Sequence, residues 1–389
     1  MAEETSDSAR QIGSDVRFET REIGSLAKPI WLLKARAGRP TTDEDADEAA
    51  RWGARLQLPD HERLIEAIRT QEVSPAEAED WSCRYAIRLL EQAGLDIVYD
   101  GEQRRSEMYE HVVSRSSGFE RRGTVRSFDN RYYSKAAVVA KPALRTDDAE
   151  EYRFVAAHTD RRAKAPFTGA YTLVDWSYDE FYGHRSSLGA TDVERAAARR
   201  RFLDDVAAEV VRPNVAAVAA AGCDWIQIDE PALTTRREEV PLGIEAFNRA
   251  TAGIAATLSL HVCFSDYRLL YPHVLELTRC LELQLEFANR DSRRLGTAGA
   301  ARPGYEPLFL FKEHGGPHVG LGVVDVHTDF VETPELVRDR ILYAATVVGP
   351  ERIRVNPDCG LRTRSWDVAY EKLAAMVEGA RLAEQALNG

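Results

Sequence analysis

The chain has 389 residues and a formal net charge of −12, and 44% of its residues are hydrophobic. A chain of this length can bury a large core, either as one α/β barrel with insertions or as two compact domains. Its acidic balance argues against nucleic acid as the main partner, because neutralising phosphates requires a basic surface. No run approaches the roughly 18 apolar residues that a membrane span requires. We therefore expect a cytoplasmic protein with no membrane partner.

The N-terminal segment and the cysteines further limit the class of protein to which the chain can belong. Residues 1–16 are polar and acidic and lack the apolar stretch of a secretory signal, so we expect a flexible tail there and a single domain over residues 17–389. The cysteines are too few and too scattered for a disulfide framework, which leaves metal ligation or plain burial. They are Cys83, Cys223, Cys263, Cys280 and Cys359.

Short β-type segments alternate with segments of helical periodicity along the chain. The predicted strands are residues 19–24, 96–99, 169–173, 225–228, 257–263, 281–286, 318–324 and 352–355. The clearest helical patterns cover residues 191–221, 333–348 and 365–387. The first of these helices begins with a predicted capping box formed by Thr191 and Glu194.

Eight strands separated by helices predict an α/β fold of the (β/α)8 TIM-barrel type. The long stretches at residues 25–94 and 101–167 predict insertions after the first two strands, and residues 132–144 are the candidate for a hairpin. The alternative is a doubly wound open sheet. It is disfavoured because no Gly-rich phosphate loop follows any predicted strand.

A parallel barrel places its active site at the carboxyl ends of the strands. Several residues with reactive or binding side chains lie at or just past such ends in the predicted pattern. They are Ser25, Glu102, Trp176, Asp229, His261, Cys263, Glu286, His327 and Cys359. We expect them to converge on one mouth of the barrel.

A zinc site is one interpretation of part of this set. His261 and Cys263 are two residues apart on one strand, so their side chains point to the same face. Glu286 ends the next predicted strand and Cys359 follows the last. Zinc accepts imidazole, thiolate and carboxylate ligands, usually four in tetrahedral array. The alternative is that both cysteines are small core residues and Glu286 is a solvated cap.

Two further positions carry open alternatives. Asp229 and Glu230 follow a buried strand, where they could hold a cationic group or act as acid and base. Adjacent acids in such a place are equally typical of a helix N-terminus. His327 lies just past a strand and could serve as a general acid, or it could be an ordinary loop residue.

The ordered motifs of the chain resemble those of cobalamin-independent methionine synthase, specifically its catalytic barrel, over about residues 22–387. They are Ile-Gly-Ser at 23–25, Gly-Glu at 101–102, Thr-Gly at 168–169, Asp-Trp-Ser at 175–177, Gln-Ile-Asp-Glu-Pro-Ala-Leu at 227–233, His-Val-Cys at 261–263, Asp-Val-His at 325–327 and Asn-Pro-Asp-Cys-Gly-Leu at 356–361. The resemblance implies a methyltransferase that forms methionine from homocysteine.

The resemblance also implies a role for each candidate residue. The implied zinc ligands are His261, Cys263, Glu286 and Cys359. The thiol of homocysteine would enter the coordination sphere of that zinc. The implied substrate residues are Glu102 and Asp229 for the amino group, Ser25 for the amino acid and Trp176 for stacking on the pterin of the donor. His327 matches the histidine for which a proton-donor role is proposed.

The methyl donor is the point at which the chain departs from the family pattern. Long forms have a preceding barrel that helps hold the glutamate tail of the folate, whereas this chain resembles a short, single-barrel form. Residues 24–27 read Gly-Ser-Leu-Ala instead of Gly-Ser-Phe-Pro, and residues 328–330 read Thr-Asp-Phe where long forms carry Ser-Pro. We expect either 5-methyltetrahydrofolate, as its polyglutamate, or a methylcorrinoid protein as the donor.

Two other functions compete with this one. A related zinc enzyme could alkylate a different thiol such as coenzyme M, but Glu102 and Asp229 suit an ammonium group and would repel a sulfonate. A non-catalytic barrel stabilised by zinc is disfavoured because ligands at the barrel mouth leave room for an incoming thiol, whereas structural zinc sites are normally closed.

Overall fold

The computed structural model describes residues 15–126, 132–183 and 191–389. The strands are β1 (Ile97–Val98), β2 (Ser116–Arg126), β3 (Tyr132–Leu144), β4 (Arg162–Thr168), β5 (Tyr178–Asp179), β6 (Trp225–Asp229), β7 (Thr257–Val262), β8 (Cys280–Leu285), β9 (His318–Gly322) and β10 (Ile353–Asn356). The α-helices are α1 (Ile30–Arg36), α2 (Asp43–Arg55), α3 (His61–Arg69), α4 (Pro75–Gln92), α5 (Met108–Ser114), α6 (Ala149–Ala157), α7 (Ala170–Asp175), α8 (Asp192–Val206), α9 (Arg212–Ala220), α10 (Val240–Thr251), α11 (Leu308–His314), α12 (Pro334–Val348) and α13 (Trp366–Asn388).

Seven parallel strands form the central sheet in the order β1-β4-β6-β7-β8-β9-β10. Thr20 forms a parallel bridge to Val355 of β10, and Arg21 forms one to Ile97 of β1. The first predicted strand, at residues 19–24, is thus reduced to two bridge residues that touch both edges of the sheet. This curled parallel sheet is consistent with a TIM-like barrel and agrees with the predicted α/β class.

The prediction of a strand at residues 169–173 is wrong. This segment belongs to α7, and the strand is β4 immediately before it. The cause is that a short, fully buried apolar run cannot be assigned to helix or strand by periodicity alone. In β4 the buried Lys164 and Pro166 interrupt the apolar pattern, so the sequence conceals the true strand.

The prediction of a hairpin within residues 132–144 is also wrong. This segment is the single strand β3, which pairs antiparallel with β2, and β5 joins it in a three-stranded sheet. Most of β2 is exposed and rich in arginine, so it lacks the apolar alternation of a half-buried strand. The predicted helix at residues 191–221 comprises α8, a π-helical turn at Ala207–Val211 and α9. It begins with the predicted capping box.

The interior of the barrel holds paired charges as well as apolar side chains. Lys164 is buried and donates to the carbonyl of Ile23 at 2.8 Å and to the side-chain oxygen of Gln227 at 2.7 Å. Arg21 forms an ion pair with Glu282, and both side chains are fully buried. Charges at such depth persist in folded proteins when they are paired and hydrogen-bonded. These contacts connect residues 21–23 to β4, β6 and β8.

Residues 1–14 of the predicted tail lie outside the described residues, so the division into a tail and a single domain stays a prediction. Within the described ranges, none of the helices combines the length and the apolar character needed to cross a membrane.

Candidate active site

One imidazole and two thiols meet at the mouth of the sheet. His261 lies on β7, Cys263 follows the end of that strand, and Cys359 follows β10. Their ligand atoms all lie within 4.8 Å of one another. His261 and Cys263 are buried, and Cys359 is partly buried. The structure therefore brings together three of the four metal ligands that were predicted from the sequence.

The two ring nitrogens of His261 have different surroundings. Its Nδ1 lies 3.0 Å from the backbone carbonyl of Gln284, and a carbonyl only accepts, so Nδ1 carries the hydrogen. The Nε2 atom is buried and forms no hydrogen bond of ordinary geometry among the described residues. Burial lowers the pKa of His261, but the nearby Cys359 thiol outweighs this effect and raises it. An unpaired buried nitrogen is costly. A metal ion bound by Nε2 and two thiolates would satisfy it, so the residues fit a zinc ion.

A second group of possible ligands does not fit a metal in the same way. His111, Asp148 and Glu151 also lie close together. Asp148 Oδ1 accepts from Arg115 at 2.6 Å and lies 3.0 Å from His111 Nε2. The oxygen that a metal would need is already bound by two nitrogens, so this group is an ion-pair network between α5 and α6.

Glu286, the fourth predicted ligand, lies beside the close group and not within it. Its fully buried carboxylate accepts from the backbone N–H of Phe264 at 2.9 Å and from the side chain of Asn289 at 3.2 Å. The other oxygen lies 3.3 Å from Nε2 of His327. This hydrogen bond raises the pKa of His327 above its ordinary value. Glu286 thus contacts the predicted proton donor, and its charge also acts on His261.

Asp358 anchors the loop that carries Glu286, a role that sequence reasoning missed. Its carboxylate is fully buried and accepts from the backbone N–H groups of Phe287, Ala288 and Asn289 at 2.9, 2.9 and 2.6 Å. Burial raises its pKa to about 7. The available signal was the position of an acid directly before Cys359, after a proline that ends the strand.

Replacing Asp358 by alanine is expected to lower the free energy of unfolding by about 3 kcal/mol, because each buried donor left unpaired costs about 1–3 kcal/mol. Urea unfolding followed by circular dichroism measures this. The control is Glu378→Ala, which removes an exposed ion pair with Arg381 and should cost less than about 1 kcal/mol. Equal stability of the two variants would rule out the anchoring role.

The backbone approaches itself closely where two motifs meet. A Cβ on Gly360 would lie 2.8 Å from the carbonyl carbon of Gly24 and from the nitrogen of Ser25. Only glycine permits this approach. It holds the Ser25 loop against the turn that carries Cys359, so the segment after the bridges of Thr20 and Arg21 and the loop after β10 contribute to the same mouth.

Glu102 completes this side of the mouth. The hydroxyl of Ser25 donates to one oxygen of Glu102, and Arg105 lies 3.4 Å from the other. Burial raises the pKa of the Glu102 carboxyl, but Arg105 and the Ser25 hydroxyl outweigh it and hold that pKa below its ordinary value. Glu102 has a φ of 55°, a left-handed conformation that a non-glycine residue adopts at a cost. The fold thus holds an ionised carboxylate beside Ser25.

The two adjacent acids after β6 have different roles. Glu230 accepts from the backbone N–H groups of Tyr171 and Thr172 at 3.0 and 2.7 Å, so it caps the N-terminus of α7. Asp229 accepts from the side chain of Gln227 at 2.7 Å and pairs in register with His261. Burial raises the pKa of Asp229 to about 6. Only Asp229 therefore faces the candidate site.

Trp176, at the end of α7, lies in a wall of aromatic residues. Its ring centroid is 6.3 Å from that of Tyr109 and 6.2 Å from that of Tyr133. The guanidinium of Arg362 lies over Tyr133 at 5.4 Å. We call these four residues the aromatic wall. Tyr109, Tyr133 and Arg362 were missed from the sequence because a lone aromatic or arginine carries no positional signal.

Comparison with known proteins decides the family. Residues 57–382 match the family model described as the catalytic domain of cobalamin-independent synthase. A methionine synthase of Thermoplasma acidophilum is 38% identical over 367 residues, which cover 92% of this chain and 96% of the relative. The chain belongs to the cobalamin-independent methionine synthase family. This confirms the resemblance drawn from the motifs and the predicted enzyme class, a methyltransferase.

Other relatives agree with this membership. A methionine synthase of Pyrococcus abyssi is 34% identical over 374 residues, covering 95% of this chain and 94% of the relative. A solved B12-independent methionine synthase from Shewanella sp. W3-18-1, in complex with selenomethionine, has a TM-score of 0.71 and 24% identity. It covers 96% of this chain and 99% of that chain, and this likeness shows the shared fold.

Proposed function

We propose that this member of the family is a zinc-dependent methyltransferase that transfers a methyl group to the thiol of homocysteine and forms methionine. The observation that carries the proposal is the close group of His261, Cys263 and Cys359 with an unpaired, buried Nε2. The names of the relatives support the reaction, and the nearby carboxylates Glu102 and Asp229 support the acceptor.

The proposed zinc ligands are His261, Cys263, Glu286 and Cys359. A free thiol has a pKa of about 8.5 and is mostly protonated at neutral pH. Zinc would supply the charge that deprotonates the thiol of the acceptor. Two cysteine thiolates and a carboxylate make the ligand set anionic, which keeps a bound sulfur nucleophilic. Such a set favours alkyl transfer to sulfur over hydrolysis, for which neutral imidazole ligands are typical.

The carboxylates of Glu102 and Asp229 would bind the ammonium group of the acceptor. Glu102, kept ionised by Arg105 and oriented by Ser25, presents a negative charge to the ammonium group. Asp229 approaches from the neighbouring side, next to His261. Two carboxylates would repel the sulfonate of coenzyme M, so the alternative acceptor is disfavoured on charge.

We expect Glu102→Gln and Asp229→Asn each to weaken homocysteine binding by about 10- to 150-fold, because a charge-assisted hydrogen bond contributes roughly 1.5–3 kcal/mol. Zinc content should not change. Steady-state KM values for homocysteine and for a simple alkyl thiol without the amine provide the measurement. If both thiols lose the same factor, the carboxylates do not read the ammonium group.

The methyl donor would lie against the aromatic wall, with Trp176 as the stacking surface. Methyl transfer from the tertiary amine of 5-methyltetrahydrofolate needs a proton at the leaving nitrogen, and His327 would donate it. We favour this folate, as its polyglutamate, over a methylcorrinoid protein, from which cobalt(I) leaves without a proton.

One assay tests the function as a whole. The zinc-loaded protein is incubated with homocysteine and, in parallel, with 5-methyltetrahydrofolate, its triglutamate and methylcobalamin, and methionine is measured by mass spectrometry. Methionine from any one donor supports the proposal and identifies the donor class. Absence of methionine with all three would overturn it.

A further inference from the structure

The segment that follows Ser25 lines a cavity of about 300 Å³. It is bounded by residues 27–31, by α2 and by the start of α13. Four buried aromatic side chains form much of its wall. They are Trp31, Trp52, Tyr85 and Trp366. The indole of Trp366 donates to the carbonyl of Ala27 at 2.7 Å, which ties the cavity to the loop that begins with Ser25.

Lys28 lines this cavity and is half-buried. Its ammonium makes no hydrogen bond and no ion pair with any residue in the described parts of the chain. By contrast Arg51, the other basic residue of the lining, is held by Asp367 at 2.8 and 3.0 Å. A cation that is partly removed from water without a partner is destabilising. An unpaired ammonium in a cavity is therefore ready to receive an anion.

The charges that face Lys28 come from several elements. Burial lowers its pKa to about 8, Glu102 and Asp100 oppose this shift, and Arg362 and Arg36 add to it. Glu102 belongs to the acceptor side of the mouth and Arg362 to the aromatic wall. The charges of both groups therefore act on Lys28, which is three residues after Ser25 in the chain.

We propose that Lys28 binds a carboxylate of a substrate, with the aromatic cavity covering the adjoining apolar part of that molecule. The inference rests on the proposed function, in which Glu102 and Asp229 account for the ammonium group of homocysteine but no cation accounts for a carboxylate. Two sources have the right chemistry. One is the α-carboxylate of homocysteine, because Lys28 lies on the same loop as Ser25. The other is a carboxylate of the methyl donor.

The test compares Lys28→Met, which removes the charge and keeps the length, with Lys28→Arg, which keeps the charge. The matched control is Lys141→Met on β3, where the lysine is exposed and pairs with Glu209. Binding is measured by calorimetry on the zinc-loaded proteins. The acceptor pair of probes is L-methionine and L-methioninol, which lacks the carboxylate. The donor pair is 5-methyltetrahydrofolate and 5,6-dimethyltetrahydropterin, which lacks the benzoylglutamate.

Lys28→Met is expected to lower the affinity for the carboxylate-bearing probe of one pair by about 10- to 100-fold, the usual range for a charge-assisted hydrogen bond. It should leave the probe without the carboxylate unchanged. A loss of affinity for methionine would show that Lys28 binds the acceptor. A loss of affinity for the folate would show that it binds the donor. Lys28→Arg should retain most of the affinity. The proposal is overturned if Lys28→Met binds both carboxylate probes as the control does, or if the unsubstituted protein binds neither probe.

Stability separates this role from a structural one. Lys28→Met removes an unpaired, half-buried charge, so its thermal unfolding midpoint should equal or exceed that of the control. If it fails to fold, Lys28→Gln takes its place in the same measurements. Binding is recorded without turnover. A failure to form methionine would therefore refute the proposed function without contradicting carboxylate binding by Lys28.

Discussion

Replacing Cys359 by serine is expected to remove zinc and methyl transfer together. Cys359 Sγ lies within 4.8 Å of the ligand atoms of His261 and Cys263, and a neutral hydroxyl is a poor substitute for a thiolate on zinc. Loss of an outer partner of a metal ligand already costs about 10–100-fold in affinity, so loss of a ligand should cost more than about 100-fold. Chelator competition and metal analysis after dialysis measure the change.

A matched control comes from another cysteine of the barrel. Cys280 is partly buried at the start of β8, away from the mouth, and lies outside the close group. Cys280→Ser should retain one zinc per chain and full activity. Stoichiometric zinc at unchanged affinity in Cys359→Ser would show that the ligand assignment is wrong.

The substitution His327→Asn is expected to separate the two candidate donors. The side chain is 36% exposed, so it can reach a ligand at the mouth, and its Nε2 lies 3.3 Å from Glu286. If folate is the donor, loss of the proton donor should lower turnover by about 10²–10⁴, the usual range for general acid catalysis. If methylcobalamin is the donor, turnover should change little, since cobalt(I) needs no proton.

The measurement is the rate of a single turnover with each donor at saturating homocysteine, with zinc content recorded alongside. His314→Asn is the control, because His314 is an exposed residue at the end of α11. Equal loss with a folate and with methylcobalamin would contradict the role of proton donor. It would place His327 among the residues that organise the metal site through Glu286.

The sequence by itself determined the fold class and most of the mouth. Buried parallel strands alternate with capped helices, and this pattern is local, so it predicts the α/β class without tertiary information. Reactive residues that follow strands must gather at one end of a parallel sheet. This is why His261, Cys263 and Cys359 could be grouped across about a hundred residues of chain.

The tertiary structure alone decided which of two similar residues does what. Asp229 and Glu230 are adjacent acids, and only the position of α7 turns Glu230 into a helix cap and leaves Asp229 at the site. The same contact explains the misassigned strand at residues 169–173, because the capped segment is a buried helix. A short, fully buried run fits helix and strand equally well, so the backbone N–H groups capped by Glu230, and not the periodicity, show that it is a helix.

The supporting groups of the site were also beyond the sequence. Asp358 acts on a loop some seventy residues away through three backbone N–H groups, and Arg105 acts on Glu102 only once both are buried. Lys28 is notable only because it lacks a partner, which is a property of its surroundings. Residue types and spacing predict which groups reach the mouth. Hydrogen bonding and desolvation, which depend on packing, determine their charge, their orientation and their partners.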